Sequence, residues 1–146
     1  MTQIVMAGLV GIVAAAAGER AALTVAGAQS PARIARAVVL TPGEGPAVVL
    51  YSAVNETDQK IDEFTVMAFV FRADGSLKAR QVAPGRRNLD PRETKYSTLV
   101  LDGSAIDASD IVVIGINQAQ NVGSPTWWRA DLQPAAEAAV PLKKKP

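Results

Sequence analysis

The chain has 146 residues, which fits one domain of ordinary size with short appendages. Its 15 Lys and Arg residues nearly balance its 14 Asp and Glu residues, and a net charge of +1 does not supply the broad positive field that nucleic-acid binding requires. The absence of both Cys and His excludes disulfides, thiolate sites, Ser-His-Asp triads and histidine-dependent zinc hydrolases.

The chain opens with an apolar segment. Ile4 to Ala17 is an uncharged run of 14 residues, which matches a signal-peptide core and falls short of the about 20 residues of a spanning helix. Ala26–Ala28 forms an A-x-A-like cleavage site and Ala15–Ala17 an earlier one, but no Lys or Arg precedes the run. A cleaved signal, an uncleaved anchor and a folded element all stay open. We expect residues 1–31 to be a signal peptide or membrane anchor with a linker.

From residue 32 onward, short β-branched and apolar runs alternate with turn sequences, and no stretch holds the 3.6-residue period of a crossover helix. The clearest run, Phe64–Arg72, ends at Asp74-Gly75, a strong hairpin signal. The pattern predicts an all-β domain over residues 32–132, a seven-stranded antiparallel sandwich. The predicted strands are 33–40, 47–54, 64–72, 77–82, 94–101, 110–117 and 126–130.

Residues 54–77 (VNETDQKIDEFTVMAFVFRADGSL) resemble a recurrent pattern in immunoglobulin- and fibronectin-III-like domains of exported bacterial proteins. In that pattern, Val-x-Asn begins a loop with a Lys-Ile pair, and a long apolar strand and an Asp-Gly turn follow. Leu89–Glu93 resembles their Leu-x-Pro-Gly-Glu segment, with Arg92 where Gly is usual, and Ser124–Trp128 lies where they often close with Gly-Thr-x-Trp. The resemblance covers about residues 33–131. It implies an immunoglobulin-like sandwich that binds or assembles and carries no catalytic residues.

Two further segments carry charge. Gln133 to Pro146 is a Pro/Ala tail ending in lysines, either disordered or in contact with anionic lipid or an acidic partner. Asp102–Asp110 clusters three carboxylates, but the spacing is not that of an EF-hand, and Asp and Ser commonly form turns. We expect a turn there, and no metal or cofactor. Asn55–Thr57 fits a glycosylation sequon.

Several predicted strands are apolar on both faces, whereas a sheet face in contact with water should alternate with polar residues. In the strand from Phe64, one face carries Val66 and Val70 and the other carries Met67 and Phe69. Residues 111–116 and 47–54 are similarly two-sided. One face of each strand fills the core, and something must cover the other.

The same argument applies to Trp127 and Trp128, because neighbouring strand residues point to opposite faces. We expect the surplus apolar face to bind another protein or a second copy. The protein would then be a non-enzymatic interaction module, an accessory or structural subunit of a cell-envelope or membrane-associated assembly. It would be exported to the periplasm, cell surface or membrane, with residues 4–17 available for membrane contact. A carbohydrate- or small-ligand-binding module with an exposed Trp is the alternative. The expected partner-binding residues are Met67, Phe69, Phe71, Trp127, Trp128 and Arg129.

Overall fold

The computed structural model describes residues 18–102, 105–121, 123 and 125–141. The apolar segment 4–17 and the lysines near the C-terminus lie outside the described residues. Within the described part, the elements are β1 Gly18–Ala21, β2 Leu23–Thr24, β3 Ala32–Thr41, β4 Ala47–Asn55, β5 Ile61–Phe71, β6 Leu77–Pro84, β7 Thr94–Leu101, β8 Ile111–Asn121, β9 Trp128–Arg129 and α1 Gln133–Ala139.

The prediction of an all-β chain with antiparallel pairing is confirmed, and the predicted strands correspond to β3 through β9. Strands β5 and β8 are longer than predicted because they pair along their whole length, from Ile61 opposite Asn121 to Phe71 opposite Ile111. Strands β1 and β2 are additional, and they come from the segment interpreted as leader and linker.

The strands form two sheets. The first sheet has the order β1-β3-β4-β7, and the second has the order β2-β8-β5-β6 with β9 also paired to β8. Strand β1 pairs antiparallel with β3, whereas β2 pairs parallel with β8. Residues 18–24 therefore join the first sheet and then the second.

Alternate residues of both sheets point into a shared core. Val39 and Val49 of the first sheet and Val66 and Ile114 of the second are fully buried in one apolar cluster. The two sheets therefore face each other across this cluster, and their opposite faces are the outer faces of the molecule.

The turn between β5 and β6 follows the Asp-Gly signal. Gly75 has a φ of +90°, a left-handed conformation that favours glycine. The Arg72 N–H donates to the Ser76 carbonyl at 2.8 Å, and the Ser76 N–H donates to the Asp74 carboxylate at 2.8 Å. The turn sets the register in which Phe69 lies opposite Arg80.

Asn55 has a structural role. Its side-chain amide is buried and donates to the carbonyls of Gln59 and Leu89 at 2.7 and 3.1 Å. Its carbonyl oxygen accepts the Thr57 N–H at 2.9 Å. Because the amide nitrogen is engaged inside the protein, the sequon at this position marks a loop that is tied to Leu89, not an exposed glycosylation site.

The described part of the C-terminal segment is folded. Residues 133–139 form helix α1, so this part of the segment that was expected to be a tail is helical, and residues 142–146 lie outside the described residues. Residues Leu132, Ala136 and Val140 are buried. No helix in the described ranges has both the length and the apolar character needed to cross a bilayer.

Candidate functional site

The outer face of the second sheet carries Met67, Phe69 and Phe71, three of the residues that were expected to bind a partner. The side chains on this face follow the strand register, since residues opposite each other share a face. Its cross-strand pairs are Met67–Gly115, Phe69–Val113 and Phe71–Ile111.

The chain covers this face itself. Phe69 and Phe71 are 0% exposed, and their rings stack with centroids 6.3 Å apart. They share a second apolar cluster with Val113 and with the C-terminal residues Leu132, Ala136 and Val140. The expectation that Phe69 and Phe71 face a partner is therefore corrected, because helix α1 and its flanks occupy the position. Met67 is half-buried at the margin of the same cluster.

The N-terminal segment completes the cover. The Val25 N–H donates to the Ile114 carbonyl at 3.0 Å, and the Val25 side chain packs against the second cluster. A Cβ on Gly115 would lie 2.6 Å from the Val25 carbonyl oxygen and 2.8 Å from Leu132 Cδ1. Gly115 therefore allows both covering segments to approach the sheet closely.

Helix α1 is also held by a polar contact. Arg80 on β6 donates to the Gln133 side-chain oxygen at 2.7 Å, so the first turn of the helix is tied to the edge of the sheet. Two sequence signals could have revealed this helix. A proline lies in its first turn, and the buried residues Leu132, Ala136 and Val140 are spaced at i, i+4 and i+8.

Both tryptophans are partly buried. Trp128 packs against the core between the sheets, and its indole N–H donates to the Ala28 carbonyl at 3.0 Å. Arg129 is exposed, lies opposite Gln118 and donates to its side-chain oxygen at 3.2 Å. The structure thus brings the tryptophans and Arg129 to one side of β8, apart from the buried pair Phe69 and Phe71.

The outer face of the first sheet is a second apolar surface, which we call the open face. Among its residues, Leu50, Val100 and Tyr96 are 37%, 42% and 73% exposed, and none of the three belongs to either buried cluster of the described residues. The cross-strand rows of the open face are Glu19–Leu40–Val48–Val100, Ala21–Val38–Leu50–Thr98 and Arg36–Ser52–Tyr96.

The open face was missed as a site although its signal was present. Residues 47–54 are apolar on both faces, but the partner-binding site was predicted at the bulkier side chains of β5 and at the tryptophan pair. Only the fold shows which sheet the terminal segments cover.

Side chains of β6 and of the loop that follows it protect the free edge of β7. Gln81 donates to the Val100 carbonyl, and Arg86 donates to the Tyr96 carbonyl at 3.3 Å. Such capping satisfies carbonyl groups that would otherwise pair with a strand from another chain. The edge is thus less available than the face beside it.

A shallow groove runs along this edge between Leu50, Tyr96 and Arg86. Tyr51 lines its floor and is buried. Burial raises the pKa of the Tyr51 phenol, although a hydrogen bond with Ser97 and the charge of Arg86 act in the opposite direction. The phenol is therefore held neutral, and no charge on it opposes apolar contacts at the groove.

The acidic loop before β8 is a turn closed by an ion pair. The buried Asp110 carboxylate accepts from Lys78 Nζ at 2.6 Å and from the Asp107 N–H at 2.8 Å. Burial alone would raise the pKa of Asp110, but the hydrogen bonds from Lys78 and from the Asp107 N–H outweigh it and hold that pKa below its ordinary value. The bond to Asp110 raises the pKa of Lys78. Within the described ranges, no group of three or more acidic side chains could hold a metal ion.

No protein family matches this chain, and neither a curated protein nor a solved structure matches it significantly.

Proposed function

We propose that this protein is a non-enzymatic interaction module, an exported subunit of a cell-envelope or membrane-associated assembly, which docks through its open face. The observation that carries the proposal is the exposure of Leu50, Val100 and Tyr96 on adjacent strands. Exposed apolar residues that lie together on one face, and not singly, are typical of an interaction surface.

We assign a second copy of the chain as the occupant, because the open face carries opposite charges at its two ends. The exposed residues Glu19, Glu44 and Asp102 lie at the end near Leu40 and Val100. The exposed residues Arg36 and Arg86 lie at the other end, near Tyr96. Neither Glu19 nor Arg36 forms an ion pair with another described residue.

A two-fold symmetry axis perpendicular to the strands pairs both charged ends of the open face at the same time. Arg36 and Leu40 lie four residues apart on β3, about 13 Å at the rise of an extended strand. With the axis at the row of Val38 and Leu50, the basic end of each copy lies over the acidic end of the other. Tyr96 of one copy then lies over Val100 of the second copy, and the apolar rows pack together. The opposite orientation brings like charges together.

We also propose that the fold is an immunoglobulin-like sandwich, and the strand order supports this. If β3, β4 and β7 are taken as strands A, B and E, then β6-β5-β8-β9 has the order C′-C-F-G of such domains. Export is supported by the uncharged run of 14 residues at the start of the sequence.

The proposal is tested by sedimentation of the purified protein over a range of concentrations. Leu50→Asp should weaken self-association about tenfold or more, because it places a charge at the centre of the apolar rows. The matched control is Val82→Asp, since Val82 is 50% exposed but lies on β6 of the other sheet. Equal effects of the two variants, or a wild-type protein that is monomeric throughout, would overturn the assignment.

The charge arrangement has its own test. Arg36→Glu and Glu19→Arg should each weaken association, whereas the double variant should restore it, because positions 36 and 19 then exchange charges and again face each other with opposite signs. A double variant as weak as the single ones contradicts the antiparallel arrangement. If the protein is instead a monomer that co-purifies with a different protein, and Leu50→Asp abolishes that co-purification, then the different protein and not a second copy occupies the open face.

A further inference from the structure

Residues 18–28 belong to the folded domain. Strand β1 pairs with β3 from Gly18 opposite Thr41 to Ala21 opposite Val38, and β2 pairs with β8. The Arg20 guanidinium donates to the carbonyls of Ala108 and Asp107 at 3.0 and 3.1 Å. These contacts join the start of the described chain to both sheets and to the loop before β8.

The next residues lie against the C-terminal segment. Ala22 is buried in the core between the sheets, and its N–H donates to the Ala37 carbonyl at 3.1 Å. A Cβ on Gly27 would lie 2.6 Å from the Ala130 Cβ, so the backbone of Gly27 is in close contact with the residue that follows β9. Ala28 supplies the acceptor for the Trp128 indole.

A cleavage after Ala28 removes all of these contacts. The product beginning at Gln29 lacks β1 and β2, and it also lacks Val25, which lies over Gly115 and helps to cover the second sheet. It exposes apolar surface on β8 and leaves the Trp128 N–H without its acceptor. A cleavage after Ala17 removes none of them, because the first strand begins at Gly18.

The earlier cleavage site, at Ala15–Ala17, lies at a suitable distance from the apolar stretch for a signal peptide. Ile4–Val13 is an apolar stretch of 10 residues, within the length of a signal-peptide core, and Ala14–Ala17 supplies small residues directly after it. The later site is separated from the apolar stretch by the charged pair Glu19-Arg20. We infer, on the premise of the exported function proposed above, that a signal peptidase cleaves the bond between Ala17 and Gly18 and that the mature protein begins at Gly18.

The chemistry is peptide hydrolysis by that peptidase. Water adds across the Ala17–Gly18 peptide bond, the Ala17 carbonyl becomes a carboxylate, and Gly18 gains a free α-amino group. Small side chains at the −3 and −1 positions fit the A-x-A-like pattern, here Ala15 and Ala17. The new amino group lies next to Glu19, at the acidic end of the open face.

The test is the intact mass of the full chain, expressed with its own N-terminus in a bacterium and recovered from the envelope fraction. We expect the mass of residues 18–146. Ala17→Leu should abolish that species, because a bulky residue replaces the small one at −1. The matched control, Ala28→Leu, should leave it unchanged, since the Ala28 side chain is exposed.

The outcomes separate this inference from export itself. An envelope protein that begins at Gln29, or one that loses the Gly18 product on Ala28→Leu, overturns the cleavage site and leaves export intact. An envelope protein that retains Met1 also overturns cleavage and identifies the segment as an anchor. A cytoplasmic protein that retains Met1 overturns export together with the inference.

Discussion

The two outer faces of this molecule are both apolar, yet the part of the chain that the structure describes covers only the outer face of the second sheet. On the second sheet, Phe69 and Phe71 lie beneath helix α1 and residue Val25. On the first sheet, Leu50 and Tyr96 remain exposed. The covered face holds aromatic rings, and the open face holds smaller β-branched and aliphatic side chains at its centre with charges at its ends.

The difference shows that an apolar outer face does not by itself indicate a partner. Segments near the two ends of the same chain can fill that role, as Val25 and residues 132–140 do on the second sheet. A face that the termini leave open is therefore a better guide to partners than a face that is merely rich in large side chains.

The largest effect that tests this comparison comes from truncating one residue on each face. Phe69→Ala should lower the free energy of unfolding by about 3–5 kcal/mol, because it empties the centre of the second cluster. Leu50→Ala should lower it by less than about 1 kcal/mol. Urea unfolding at a concentration where the protein is monomeric measures both. Similar losses at the two positions would remove the distinction between a covered and an open face.

A smaller effect tests how closely the covering segments pack against the second sheet. Gly115→Ala should cost about 1–3 kcal/mol of unfolding free energy, since the added Cβ meets the Val25 carbonyl oxygen and Leu132. It should also increase the binding of a hydrophobic dye as the cover loosens. Gly18→Ala is the control, because a Cβ there meets nothing within 4 Å. If both glycines tolerate alanine equally, the close contact of the covering segments is not a source of stability.

The smallest effect extends the comparison to charge. Lys78 on β6 forms an ion pair with Asp110 directly before β8, at the covered sheet, whereas Arg36 is exposed on the open face. The folded pKa of Asp110 lies below its unfolded value of about 3.9. Its contribution to stability is therefore complete above that value and is lost as the pH falls through the folded pKa. The raised pKa of Lys78 gives a contribution that is complete below about pH 10.4 and is lost as the pH rises through its folded pKa.

Asp110→Asn should therefore lower stability at neutral pH and flatten its decline in acid, as followed by urea unfolding at a series of pH values. Lys78→Gln should flatten the same acid decline, and the double variant should add little, because both changes remove one ion pair. An acid decline that is unchanged in Asp110→Asn would show that the pair does not contribute to it.

Much of the strand pattern was predictable. The Asp74-Gly75 turn, the long apolar run of β5 and the loop that begins at Asn55 all follow from local residue chemistry. Arg92 has a φ of +65°, the left-handed conformation that favours glycine, in the short turn between Leu89 and β7. Local signals were accurate where the backbone itself imposes the constraint.

The candidate site was less predictable, because it depends on which distant segments meet. Strand β2 has two residues and helix α1 has seven, so neither produces a strong periodic signal. Val25, which follows β2, lies over Gly115, and α1 with its flanks lies over Phe69. Both positions result from contacts between residues far apart in the chain. Gly115 within β8 is the local feature of the sequence that reflects this close packing, and its role could be interpreted only after the fold was known.

The sequence by itself determined the all-β class, the strands from β3 to β9 and the surplus of apolar sheet surface, since alternation and turn chemistry act over a few residues. Only the tertiary structure decided which surplus face remains open. That outcome depends on where both termini pack, and a two-residue periodicity contains no information about which segment will lie over a given face.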